Sequence, residues 1–240
     1  MQLCIYCQTN PEETVDHVPP KGMFKRPRPA NLITVPACFR CNNGFSRDNE
    51  YLMNLALDWE ASASSDGREV ADKRLRAMRR KEGQREWGPI FAKLKAVEVY
   101  SRSGLYLANS FELSLDTARL VRMVDRIIKG LYFEVTKTPL PIGDYVRSML
   151  FSHYVEKHEG ESKAMEFINS IRHLPGRVIG DGVFGFRYGL LDRSRFMSFW
   201  YLEFYQWFAF LAITGKQDDP QLYQIKDPPL LREEAREGKS

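Results

Sequence analysis

Apolar residues recur at helical spacing in the early and middle parts of this chain and at strand spacing towards its end. Leu52, Leu55, Ala56 and Trp59 fall three or four residues apart, which predicts a helix from Ser46 to about Ala61. The small, polar run from Ala61 to Gly67 reads as a hinge, and Arg68 to Arg85 as a basic helix. Lys93 to Tyr100 and Leu105 to Phe111 are short strand-like runs joined by Ser101-Arg-Ser-Gly104, a hairpin pattern. Leu120, Val121, Val124, Ile127, Ile128, Leu131, Tyr132 and Val135 mark an amphipathic helix that starts near Ser114 or Asp116 and is broken by Thr138-Pro139-Leu-Pro141. Residues 144 to 172 read as helical with a break at Gly160, Val178 to Thr214 as three antiparallel strands, and the polar tail after Lys216 as mobile. The aromatic run Phe199 to Thr214 is shorter than the ~20 residues of a membrane span and carries Glu203 and Gln206, so it reads as buried sheet.

Ahead of these elements lies a segment with a different logic. Cys4-Ile-Tyr-Cys7 and Cys38-Phe-Arg-Cys41 are two Cys-x-x-Cys knuckles that use all four cysteines of the chain. Four thiolates are the number a tetrahedral Zn²⁺ requires, and a site closed by four sulfurs is structural rather than catalytic. The loop clamped between the knuckles contains Asp16-His17-Val18-Pro19 and Asn31-Leu32, and Asn42-Asn43 follows the last cysteine.

In this order the motifs resemble the HNH endonuclease superfamily, the ββα-metal nucleases, in the branch braced by a zinc knuckle; the resemblance covers roughly the first fifty residues. It implies a treble-clef-like zinc-bound module in which a hairpin carries Asp16-His17, a loop carries Asn31 and a helix begins near the second knuckle. It further implies His17 as general base, Asp16 and Asn42 as ligands of a catalytic Mg²⁺ or Mn²⁺, Asn31 as the residue that fixes the loop behind His17, and structural Zn²⁺ on Cys4, Cys7, Cys38 and Cys41. These types suit the chemistry. Phosphodiester hydrolysis needs a base near neutral pH and a cation on the phosphate, and carboxylate and amide oxygens are hard ligands. Adjacent strand residues point to opposite faces, so both Asp16 and His17 reach one phosphate only where a bulge or strand end turns them. Asn43 remains an alternative to Asn42 as ligand. Where the family has a Gly-rich turn, Lys21-Gly-Met-Phe-Lys25-Arg26-Pro27-Arg28-Pro29 makes a stiffer, more basic loop.

Composition adds bounds. At 240 residues, 43% hydrophobic and 12% aromatic, the chain can bury a sizeable core. A net charge of +4 permits nucleic-acid binding without requiring it. Lys21, Lys25, Arg26, Arg28, Arg40 and Arg47 around the module, and Arg74, Arg76, Arg79 and Arg80 on the basic helix, are the candidates for phosphate contact, their bland alternative being a solvated face. Asp48, Glu50 and Asp58 read as a solvated helix face, and His153, His158 and His173 are scattered without ligand spacing. Zinc-bound thiols and the lack of a leader pattern point to the cytoplasm. No repeat, phosphate-cradling glycine loop or nucleophile elbow is present. The expectation is an α+β chain: a nuclease module over 1–60, a basic helical linker over 61–89, and over 90–240 a larger domain of helices and antiparallel sheet, through which a homodimer is conceivable. The expected function is metal-dependent hydrolysis of nucleic acid, DNA being favoured by the resemblance, with no membrane partner. The alternatives are a non-catalytic zinc-knuckle nucleic-acid binder and a protein-interaction module with a decayed site.

Overall fold

The computed structural model describes residues 2–55, 65–78, 88, 92, 94–101, 103–113, 116–151, 161–206 and 208–216. The chain forms two compact units, one made of Met1–Ala71 with Thr117–Ser240 and the other of Asp72–Asp116. These differ from the three consecutive segments expected, because the cysteine-bearing start of the chain shares a unit with the C-terminal sheet.

That start is a hairpin followed by helix. Strand β1 (Thr14–Val18) pairs antiparallel with β2 (Ile33–Ala37), and helices α1 (Phe39–Gly44) and α2 (Ser46–Leu55) follow. Helix α1 starts at Cys38, whose sulfur accepts from the Cys41 N–H, and the Glu13 carboxylate accepts from the Phe39 N–H. Both satisfy donors that a helix start leaves unpaired. Helix α3 (Ser65–Met78) opens with Ser65-Asp66-Gly67, so these residues are its first turn and not a hinge. The remainder of the expected basic helix, including Arg79 and Arg80, and Trp59 of the earlier helix lie outside the described residues.

The second unit contains the expected hairpin, β3 (Leu94–Tyr100) paired with β4 (Tyr106–Leu113), turning at Gly104 with φ +82°. A positive φ is open to glycine without the steric penalty of a Cβ.

Returning to the first unit, α4 (Thr117–Thr136) realises the long amphipathic pattern, with Leu120, Met123, Val124, Ile127, Ile128 and Leu131 buried. Beyond it the reading of 144–172 as helix is corrected in its first part: Tyr145–Leu150 is strand β5, while Glu161–Ile171 is helix α5 and residues 152–160 lie outside the described residues. Periodicity in six residues does not separate strand from helix, and pairing along the whole length, from Tyr145 opposite Gly215 to Leu150 opposite Phe210, decides. The final segment holds four strands, not three: β6 (Gly176–Ile179), β7 (Phe184–Asp192), β8 (Met197–Phe204) and β9 (Phe208–Gly215). With β5 they form an antiparallel sheet in the order β5-β9-β8-β7-β6.

Strand β8 shows how the sheet is layered. Ser198, Trp200, Leu202 and Phe204 are buried on one face, while Phe199, Tyr201 and Glu203 alternate on the half-buried other face, where Phe167 of α5 packs edge-on against Phe199. The buried polar atoms are paired: Trp200 Nε1 donates to Ser198 Oγ at 2.7 Å, and Ser198 Oγ lies 2.5 Å from Thr214 Oγ1. Apart from the turn at Tyr205 and Gln206, the described residues of the aromatic run are thus sheet, as expected. No helix among the described residues is long and apolar enough to cross a membrane.

The hairpin is seated on the rest of its unit. Gln8 Nε2 donates to the Leu140 carbonyl at 2.6 Å, Tyr205 OH to the Met23 carbonyl at 2.9 Å, and Asn31 Nδ2 to the Val178 carbonyl of β6 at 3.2 Å. On α2, Asp48 belongs to no solvated face: Arg122 of α4 grips its two oxygens at 3.0 and 3.2 Å. At Gly130 of α4 the helix has no room for a side chain, since a Cβ there would lie 2.5 Å from Val18 Cγ2.

Candidate functional site

The four cysteines come together because antiparallel pairing sets Thr14 opposite Ala37, which brings both knuckles to the open end of the hairpin. Their sulfurs lie within 4.8 Å of one another, and Cys7 Sγ and Cys38 Sγ are 3.9 Å apart. A tetrahedral ion with metal–sulfur bonds of roughly 2.3 Å sets its sulfurs about 3.8 Å apart, so the group fits a metal such as zinc. All four are free of disulfides, with Cys4 and Cys38 buried. Amide donors already point at the sulfurs, from the Cys41 backbone at 3.4 Å and Asn10 Nδ2 at 3.7 Å, both to Cys38. Hydrogen bonds around Thr9 lower the Cys7 thiol to about 6, that from the Cys41 N–H lowers Cys38, and burial pushes Cys41 up.

Asp16 and His17 lie in a regularly paired strand, Asp16 opposite Val35 and His17 opposite Thr34, without the expected bulge. Alternation therefore holds: Asp16 and Val18 are buried, while Val15 and Thr34 are exposed and His17 is half-exposed. Asp16 and His17 therefore face opposite sides of the hairpin.

What Asp16 meets inside is Arg126 of α4. Its carboxylate Oδ2 accepts from Arg126 Nε at 2.9 Å, Arg126 Nη2 at 2.5 Å and Tyr6 OH at 2.6 Å. Nη2 also lies 3.4 Å from Asn42 Oδ1, and the Asn42 amide nitrogen donates to Thr14 Oγ1 at 3.1 Å and the Val15 carbonyl at 3.2 Å. The guanidinium carbon stands 4.4 Å from the Phe45 ring centre and 5.1 Å from that of Tyr6, within cation–π range. Burial, and next the Asp16 charge, hold the Tyr6 phenol well above its ordinary pKa, so it remains a donor.

The spacing of the two elements explains this meeting. Four residues of helix advance about 6.0 Å and two residues of strand about 6.6 Å, so Arg126 and Gly130 meet Asp16 and Val18 in step. As a result the pair assigned to Mg²⁺ or Mn²⁺ does not fit such an ion as it stands, since the cation between Asp16 and Asn42 is a side chain of the fold.

No protein-family model, curated protein or solved structure matches this chain.

On the outer face, burial first, and the nearby charges of Lys21 and Arg28, lower the His17 pKa from its usual value, so the imidazole is neutral near pH 7. Lys21, Arg26, Arg28, Arg40 and Arg47 are exposed. Lys25 is instead taken up by Asp66 at 2.6 Å. Asn31 ties its loop to β6 rather than to His17, and Asn43 is exposed. Arg76 is exposed and Arg74 half-buried, both in the second unit.

Tyr6, Phe45 and Arg126 were not singled out from the sequence. The one available signal was a charge on the apolar side of an amphipathic helix: Arg126 lies three residues from Met123 and four from Gly130.

Proposed function

We propose that this chain engages the phosphodiester backbone of nucleic acid through the outer face of its β1–β2 hairpin, with a metal, most simply structural Zn²⁺, bracing the module at its four cysteines. The observation that carries this reading is the setting of His17: a half-exposed neutral imidazole on a paired strand, close enough to Lys21 and Arg28 for both cations to bear on it. A phosphate seated there would receive a hydrogen bond from the ring and charge from both cations. The order of motifs in the first fifty residues, shared with zinc-braced HNH nucleases, supports nucleic acid as the source of that phosphate and DNA before RNA.

Hydrolysis is the second reading, favoured by one observation. The Asp16 and Asn42 oxygens share a single cationic neighbour, Arg126 Nη2, as two ligands of one ion would. In it, His17 is the general base. Arg126 already holds the position a divalent ion would need.

Both readings are tested by incubating the zinc-loaded protein with a DNA duplex and with RNA, in the presence and absence of Mg²⁺ or Mn²⁺. The first expects salt-sensitive binding without cleavage, weakened for all sequences alike in K21A/R28A, with a flatter dependence of log Kd on log salt. Absence of binding refutes it, as does an unchanged salt slope. Cleavage that requires the added ion and is abolished in H17A establishes the second.

A further inference from the structure

The disagreement between the carboxylate expected to hold a metal and the side chain that holds it instead has its own consequence. We propose that Arg126 is a resident cation of this module: its guanidinium keeps the position between Asp16 and Asn42, and the centre takes up no divalent ion.

Arg126 and Asp16 are only 4% and 6% exposed, so the ion pair is interior rather than a surface contact. One carboxylate oxygen accepts from three donors, two from Arg126 and one from Tyr6, which leaves that atom no lone pair for a metal. The Asn42 amide is fixed through its nitrogen by Thr14 and Val15, so its oxygen stays turned to the guanidinium. The rings of Phe45 and Tyr6 enclose the guanidinium. Arg126 Nη1 is buried with no hydrogen-bond partner among the described residues, which marks a group positioned by packing and charge rather than by a full set of polar partners.

The backbone offers no easy exit either. Arg126 is one helical turn from Gly130, whose Cα sits against Val18, so the helix cannot withdraw without opening the contact beside Asp16. Mg²⁺ and Mn²⁺ require several oxygen ligands and retain waters. Admitting either would mean expelling a charged group from between the aromatic rings that enclose it and hydrating an interior carboxylate.

Mn²⁺ alone serves as the probe, with full-length, zinc-loaded protein and no nucleic acid, so the outcome is independent of whether the hairpin binds phosphate. In wild type, paramagnetic Mn²⁺ up to about 1 mM should leave the Val18 methyl resonances unbroadened, and spin-resonance titration should give the same curve for wild type and D16N. R126A should gain one Mn²⁺ site at least tenfold tighter than any in wild type, and D16N/R126A should lose it. Selective broadening of Val18 in wild type overturns the proposal, and so does a folded R126A that gains no site. Should R126A not fold, the Val18 measurement on wild type decides by itself.

Discussion

Gly130→Ala sets a favourable local effect against an unfavourable packing effect, and the structure says which wins. In an exposed helix interior the change would stabilise by about 0.8–1.0 kcal/mol through helix propensity. Here the new methyl would stand 2.5 Å from Val18 Cγ2, 3.0 Å from Cγ1 and 3.3 Å from Cβ. Ordinary carbon contacts fall at roughly 3.5–4.0 Å, so about 1 Å of overlap has to be relieved. Valine is β-branched and stiff, and its Cβ is itself too close, so no rotamer clears the space. The helix must move away from β1, which also stretches the Arg126–Asp16 pair one turn earlier. Overpacking of this kind costs about 1–3 kcal/mol, leaving a net loss of about 0–2 kcal/mol after the propensity gain. Urea unfolding followed by far-ultraviolet circular dichroism would measure it. A double-mutant cycle with Val18→Ala isolates the cause: alone, that change removes two buried methyl groups at about 1.6 kcal/mol plus a cavity contribution. Made in the Gly130→Ala protein, it should cost at least about 1 kcal/mol less, because the new methyl fills part of the void. A Gly130→Ala protein more stable than wild type, or additivity of the two changes, would show that α4 does not rest on β1.

Metal analysis should find one zinc per chain, and Cys38→Ser should lose it; since the hairpin is pinned to α4, Leu140, Val178 and Tyr205, the first unit should melt earlier as a whole, and loss confined to the first fifty residues would contradict the docking. His17 should titrate below 6.5 by nuclear magnetic resonance. The unfolded chain then binds the proton more readily, so stability present above pH 6.5 should fall as the pH drops towards the folded pKa; Lys21→Ala should raise that pKa, and an unmoved value would detach Lys21 from His17. Tyr6→Phe removes a buried donor to a carboxylate and should cost about 1.5–3 kcal/mol in chemical denaturation, an effect near zero showing that Asp16 does not rely on the phenol.

Elements with a long, single period were legible in the sequence. Helix α4 announced itself through Leu120 to Val135, and the β3–β4 hairpin through its Ser/Gly turn. Strand β5 did not, because the six residues Tyr145-Val-Arg-Ser-Met-Leu150 are too few to separate the two periods and only pairing with β9 decides. The cysteine cluster followed from spacing, since two Cys-x-x-Cys turns have few other uses. The setting of Asp16 could not follow from spacing. Its partner lies 110 positions away, and nothing local to Asp16-His17 distinguishes a carboxylate awaiting a metal from one awaiting a guanidinium. Asp48 failed for the same reason, its charge being matched by Arg122 across 74 positions. Long-range ion pairs leave no period to read.

The first unit is discontinuous, with Asp72–Asp116 intervening between its two parts. On the ribosome this imposes an order of events. The cysteines and the β1–β2 hairpin are complete long before α4 emerges, so metal can close the knuckles early, yet Asp16 must wait, charged and hydrated, for Arg126. The interior ion pair is therefore a late step that closes a loop of more than a hundred residues, and its closure entropy grows only slowly with that length. Until then Val18, Met23 and Phe24 have no partners on α4 or the sheet. The nascent hairpin thus spends that interval with its apolar side uncovered, which makes the interval before α4 the point at which this chain is most open to misassociation.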